Sequence, residues 1–158
     1  MDKTKLDSFC RIFKCRKQSV ENLKHKKKIK KLPIKELWPR EGNKVLEGYL
    51  QVLDGMDPKL TKLWYYFAKE FKYDVDTVNR QFERLYELYE SVKKDGYWAK
   101  DADMVEVIDV RKMPHTEYDN RMTEKWYRLN GEHRIAVCYF MEIKQIPVKI
   151  FQVKVHPW

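Results

Sequence analysis

One run in the chain combines residue types that could handle phosphate: Asn130-Gly131-Glu132-His133-Arg134. A β-rich stretch, Trp126-Tyr127-Arg128-Leu129, leads into it, and Ile135-Ala136 follows. The pattern predicts a strand that ends, a glycine that allows a tight turn, and a helix that starts at once. The first turn of such a helix exposes backbone N–H groups with no intrahelical partner and carries a partial positive charge. An anion can sit there, and phosphate is the common one. Arg134 adds a planar fork that matches phosphate oxygens two at a time. His133 adds a donor or a proton carrier. Glu132 could hold a magnesium ion or take a proton from a hydroxyl. The same run also fits an ordinary strand–turn–helix, where the dipole favours a glutamate in the first turn anyway. An arginine so near the positive end suits that alternative poorly.

Several elements must position this run. Met104 to Val110 is rich in β-branched residues and reads as a first core strand, Trp126–Leu129 as a second, and Gln145 to Val153 as a third, with a short helix over about 132–140 between the last two. Residues 111–124 read as a polar, turn-like connection. Upstream, Asn43 could cap a helix carrying Val45, Leu46, Tyr49, Leu50 and Leu53, stopped by Gly55. Asp57-Pro58 is a helix start, with the aspartate as cap and the proline at the first position. Leu60, Leu63, Trp64, Phe67 and Phe71 then form an apolar stripe. Asp76 begins another helix, with Val78, Phe82, Leu85, Tyr86, Tyr89 and Val92 on one face and Gly96 just beyond its end. At the N-terminus Leu6, Phe9, Ile12 and Phe13 recur at helical spacing, and Val20 and Leu23 continue the stripe less cleanly. The lysine-rich stretch from Lys24 to Lys31 reads as a solvated basic linker, and 31–39 as a short strand and turn at a sheet edge.

The net charge of +9 is uneven. Residues 1–40 hold 14 Lys and Arg against 4 Asp and Glu, a balance of +10, so the other 118 residues sum to −1. The basicity therefore belongs to the N-terminal segment and not to the chain at large. No apolar run approaches the roughly 18–20 residues that span a bilayer, and the first 30 residues lack a secretory signal, so the expected location is cytoplasmic. Cys10, Cys15 and Cys138 do not form a disulfide framework, and the first two lack companions at zinc spacing. Cys138 reads as a buried core thiol among Ala136, Val137 and Tyr139. His115 reads as a solvated loop histidine, and the aromatic run Trp64 to Phe67 as core or partner surface.

Gly131-Glu132-His133-Arg134, a small-residue helix, and then Ile146-Pro147-Val148 together resemble the nucleotide-binding core of the ParB/sulfiredoxin superfamily. Partition proteins carry Gly-Glu-Arg-Arg at this point, and free serine kinases and other stand-alone relatives carry Asp-Gly-x-His-Arg; this chain lies between the two. Residues 89–96 resemble the family helix that ends in glycine, and 32–39 its opening strand. The resemblance implies an α+β fold: a small mixed sheet over 32–158, a helical insertion at about 43–75, and a basic N-terminal helix or arm over 1–31. It implies nucleotide phosphates (ATP, ADP or CTP) on Asn130, Gly131, Glu132, His133 and Arg134, with Mg2+ on Glu132. Serine kinases also use a glutamate soon after the opening strand; Glu36 and Glu41 lie there, and Glu41 is the better candidate. Glu132, His133 and Glu41 are thus the implied catalytic set, for phosphoryl transfer to a small hydroxyl compound or to water, as in a small-molecule kinase or NTPase. Asn130 departs from the kinase pattern, because it cannot act as a base. Glu132 stands where sulfiredoxins place their reactive cysteine, so sulfinic-acid reduction is disfavoured. The alternatives are a non-catalytic interaction module and a DNA-associated module, a nonspecific binder or a nuclease, that meets DNA through Lys24, Lys26, Lys27, Lys28, Lys30 and Lys31. Partition proteins carry a helix-turn-helix after the core; with the last core strand read at about 145–153, no such reader is expected here.

Overall fold

A computed structural model of the chain describes residues 3–13, 27–39, 43–99, 103–113, 115 and 121–152. Of the candidate site residues, Lys24, Lys26 and Glu41 lie outside the described residues, as do Val20, Leu23, Cys15 and His156. The chain is mixed α and β, and it divides into two units that interleave along the sequence.

The first unit (residues 1–41, 99–131 and 145–158) holds the sheet. Its strands are β1 (Lys27–Pro33), β2 (Val105–Asp109), β3 (Trp126–Asn130) and β4 (Gln145–Gln152). They lie in the order β1-β4-β2-β3; β2 and β4 run parallel, and the other pairings are antiparallel. The three core strands fall where the β-branched pattern places them. Lys27–Lys31 is no linker. It pairs residue for residue with β4, Lys28 opposite Ile150 and Lys30 opposite Val148. The apolar partner strand supplies the ladder, and the lysine side chains blunt a strand at the sheet edge. The strand ends at Pro33, and Ile34–Leu37 forms a 3-10 turn, in keeping with the strand and turn read over 31–39.

Alternation gives the sheet two faces. Ile108, Tyr127 and Phe151 share one face, and the helix α1 (Lys3–Phe13) packs there through Phe9, Ile12 and Phe13. The Phe9 ring meets Tyr127 edge-on with centroids 5.1 Å apart. Each of those three buried side chains stabilises the unit by about 2 kcal/mol. His115 is half-buried with its ring against Phe13 at 5.5 Å, so it is a rim residue of this core and not a solvated one.

The second unit (residues 42–98 and 132–144) is helical. It contains α2 (Lys44–Leu53), α3 (Lys62–Lys69), α4 (Val75–Asp95) and α5 (Glu132–Phe140). Asn43 caps α2 as its sequence suggests, accepting from the N–H groups of Val45 and Leu46 at 2.8 and 3.1 Å. Asp57-Pro58 starts only a 3-10 turn, Pro58–Leu60; Thr61 then caps α3, its hydroxyl accepting from Trp64 N–H at 3.2 Å. Because the chain breaks there, Leu60 leaves the expected stripe and is exposed. Phe71 lies past the end of α3 and is exposed too. Asp74, not Asp76, caps α4, and Gly96 ends it at φ +76°. Val78, Phe82, Leu85 and Val92 form its buried face, while Tyr86 falls outside it. No helix among the described residues is long and apolar enough to cross a membrane.

Gly48 lets α2 approach α3 closely: a Cβ there would lie 2.5 Å from the Cβ of Leu63. Overpacking of that kind costs about 1–3 kcal/mol. Gly48→Ala is therefore expected to lower stability by about 2 kcal/mol, despite alanine's better helix propensity. A urea midpoint equal to or above that of the native chain would show that the two helices can slide apart.

Candidate functional site

The run for which phosphate chemistry is expected begins at the end of β3. A β-bulge shifts the β2–β3 register between Glu106 and Val107, leaving Glu106 opposite Asn130. Asn130 holds that irregular end with its side chain. Its Oδ1 accepts from Glu106 N–H at 3.0 Å, and its Nδ2 donates to the Glu106 carboxylate. An aspartate could not make the second bond. The carboxamide that looks like a weakened catalytic aspartate is thus used to close a strand end.

Gly131 follows at φ +99°, where side chains with a Cβ are strained. A Cβ there would also lie 2.6 Å from Cγ2 of Val105. Two independent requirements therefore exclude other residues at this turn. Asn130 and Gly131 belong to the sheet unit; Glu132, His133 and Arg134, the next residues in the chain, form the first turn of α5 in the helical unit.

Within the helical unit the three side chains of that turn are half-buried. The His133 ring stacks on Tyr49 with centroids 4.7 Å apart and planes 24° from parallel. Its Nε2 lies 2.9 Å from the backbone oxygen of Gln81. A carbonyl only accepts, so Nε2 carries the proton and the neutral ring has its lone pair on Nδ1. Burial holds the His133 pKa below the usual histidine value, although the bond to Gln81 and the charge of Glu132 pull the other way. His133 is therefore a neutral ring clamped by α2 and α4. As a proton carrier it would work through Nδ1 alone, and at neutral pH it contributes no positive charge.

Cys138, one turn beyond Arg134, is fully buried, and burial pushes its thiol up to about 12. The sequence reading of an inert core cysteine holds. Among the described residues no group of three or more His, Cys, Asp and Glu is gathered for a metal ion. Magnesium bound with phosphates commonly takes only one or two protein carboxylates, and Glu132 can supply one. Glu36, the lesser candidate glutamate, accepts from Lys125 Nζ at 3.0 Å and Trp126 Nε1 at 3.3 Å. The bond from Lys125, foremost, keeps its carboxyl below the usual range. It thus acts within the sheet unit as a counter-ion.

That pairing opens onto a groove of about 200 Å³ that sequence reasoning did not find. It lies on the sheet face opposite α1 and gathers Lys28 and Lys30 from β1, Arg111, Lys125, Trp126 and Glu36. Arg111 is held by Asp109 through two bonds, of 3.0 and 2.6 Å, and its guanidinium lies 5.2 Å from the centre of the Trp126 ring. The one signal available in the sequence was the spacing of two between Lys28 and Lys30, which puts them on one face of a strand. The partners from 109–126 are brought there by sheet register, which no local pattern announces.

Compared with known proteins, the chain matches no family model, no curated protein and no solved structure.

Proposed function

We propose that the chain binds a nucleotide through its phosphates at the turn leading into α5, in support of phosphoryl transfer to a small hydroxyl compound or to water. The observation that carries this reading is the conformation of Gly131: at φ +99° it hands β3 directly to a nine-residue helix. The first-turn N–H groups of such a helix have no partner within it and suit an anion. The half-buried Arg134 adds a guanidinium in that turn. The Gly-Glu-His-Arg run and the Ile146-Pro147-Val148 segment, which lies in β4 beside the parallel β2, support it through their likeness to the ParB/sulfiredoxin core.

Each residue's part follows from its chemistry. The amides and Arg134 hold phosphate oxygens. Glu132 would contact Mg2+, which when bound with the phosphates neutralises their charge. His133 supports the turn and offers a lone pair at Nδ1. Asn130, committed to Glu106, positions the strand end and takes no proton.

Isothermal titration of ATP, ADP and CTP with Mg2+ tests this. The native chain should bind at least one of them, and Arg134→Ala should weaken that binding at least about tenfold, the loss expected of a charge-assisted bond. Affinity unchanged by the substitution would remove phosphate from this turn.

A further inference from the structure

We propose that the groove on the sheet face opposite α1 is a binding site for the phosphodiester backbone of a nucleic acid. On this face the groove gathers four cationic side chains, Lys28, Lys30, Arg111 and Lys125, and two acidic ones, Glu36 and Asp109, while the side chain of Lys31 alternates to the other face of β1. Both carboxylates are already engaged, Glu36 by Lys125 and Asp109 by Arg111. The excess of two positive charges therefore lies with Lys28 and Lys30 of β1. Both are exposed. Solvated ammonium groups of this kind make point-charge contacts with phosphate and carry no shape preference.

The geometry narrows the class of ligand. Lys28 and Lys30 project from the same face of an extended strand, about 6.8 Å apart along it, close to the distance between successive phosphates of one nucleic-acid strand. A cavity of about 200 Å³ is smaller than the roughly 300–1,000 Å³ of a site that engulfs a small molecule. It suits one segment of a longer chain lying across it. Trp126 is 4% exposed, too covered to stack on a base, so the site holds backbone and reads no sequence. An acidic peptide fits less well. Peptides gain affinity from main-chain pairing at a sheet edge or from apolar pockets. A ligand on this face meets mainly charged side chains, which suffices for a phosphate backbone.

The site is independent of the nucleotide turn, and its test uses the full chain. Removing residues 1–31 would be uninformative, because it deletes most of β1. Fluorescence anisotropy with a labelled oligothymidylate of about 20 nucleotides, from about 20 to 150 mM KCl, should give binding that weakens with salt at a slope of about −1.4, as expected for two phosphates on a single strand. Lys28→Gln with Lys30→Gln should weaken binding at least about tenfold at the lowest salt and flatten the slope to near zero. A thermal melt checks that the variant is folded; if the pair is unstable, each single substitution should produce half the change in slope. Lys93→Gln with Lys94→Gln, in the helical unit, makes the same charge change elsewhere and should leave binding intact. The proposal is overturned if the native chain does not bind at the lowest salt, or if the folded β1 variants bind as the native chain does. It is equally overturned if the control pair loses as much, or if polyglutamate of equal length competes as well as the oligonucleotide.

Discussion

Replacing Gly131 with alanine is expected to destabilise the protein by about 3 kcal/mol, the sum of two costs of comparable size. A non-glycine residue held at positive φ costs about 1–3 kcal/mol. The new methyl must also displace Val105, whose Cγ2 would be 2.6 Å away and whose Cα 3.3 Å away. The first atom can rotate away; the second is backbone. Gly96 separates the two costs. It has φ +76°, and a methyl added there would meet nothing within 4 Å, so Gly96→Ala carries only the conformational cost, about 1 kcal/mol. Urea denaturation of both variants measures the difference. The overlap should also appear as non-additivity. In a Val105→Ala background, Gly131→Ala should cost at least about 1 kcal/mol less than in the native chain, since contacting sites couple on that scale. Equal effects at Gly131 and Gly96, with no coupling to Val105, would mean that the turn is not tightly packed and that its glycine answers only to backbone conformation.

The contrast between those two glycines shows what was legible in the sequence. Turn and cap chemistry acts over a few residues, so the Gly96 end of α4, both ends of α5, the Asn43 cap and the three core strands could be read directly. Long-range pairing could not. Lys27–Lys31 has the composition of a linker and becomes a strand because β4 offers it an apolar partner more than a hundred residues away. Asp57-Pro58 has the composition of a helix start, but Thr61 offers a second cap four residues later and the helix begins there instead. For the site, the type of each residue in the Asn130–Arg134 run was informative about capacity and silent about commitment. Asn130 can hydrogen-bond anything; the bulge gives it to Glu106. His133 can carry protons; α2 and α4 clamp it by one nitrogen. The cationic groove was hidden for the same reason, since Lys28 and Arg111 meet only through sheet register.

The commitment of His133 leads to the second large effect, a pH-dependent one. His133→Ala removes a ring stacked on Tyr49, its hydrogen bond to the Gln81 carbonyl and its buried surface. These contribute about 1 kcal/mol each, so the loss at pH 7 should be about 3 kcal/mol. His133→Phe keeps the ring and its burial and loses only the hydrogen bond, so it should cost about 1 kcal/mol at pH 7. The sign of the pH dependence follows from burial. The folded pKa of His133 is held below the ordinary 6.5, so as pH falls the unfolded chain takes up the proton first. The stability that the neutral ring contributes is complete above about pH 6.5 and is lost as pH falls toward the folded pKa, at no more than about 1.4 kcal/mol per pH unit. His133→Phe has no such slope. The native chain's advantage over it should therefore shrink between pH 6.5 and 5 in parallel urea titrations, and a gap constant with pH would show that the imidazole does not titrate below its ordinary value. The same variant separates support from chemistry. A neutral ring fixed through Nε2 adds no charge to a bound phosphate, so His133→Phe should retain nucleotide affinity where Arg134→Ala loses it. Any phosphoryl transfer that disappears with affinity intact would then be traced to the Nδ1 lone pair.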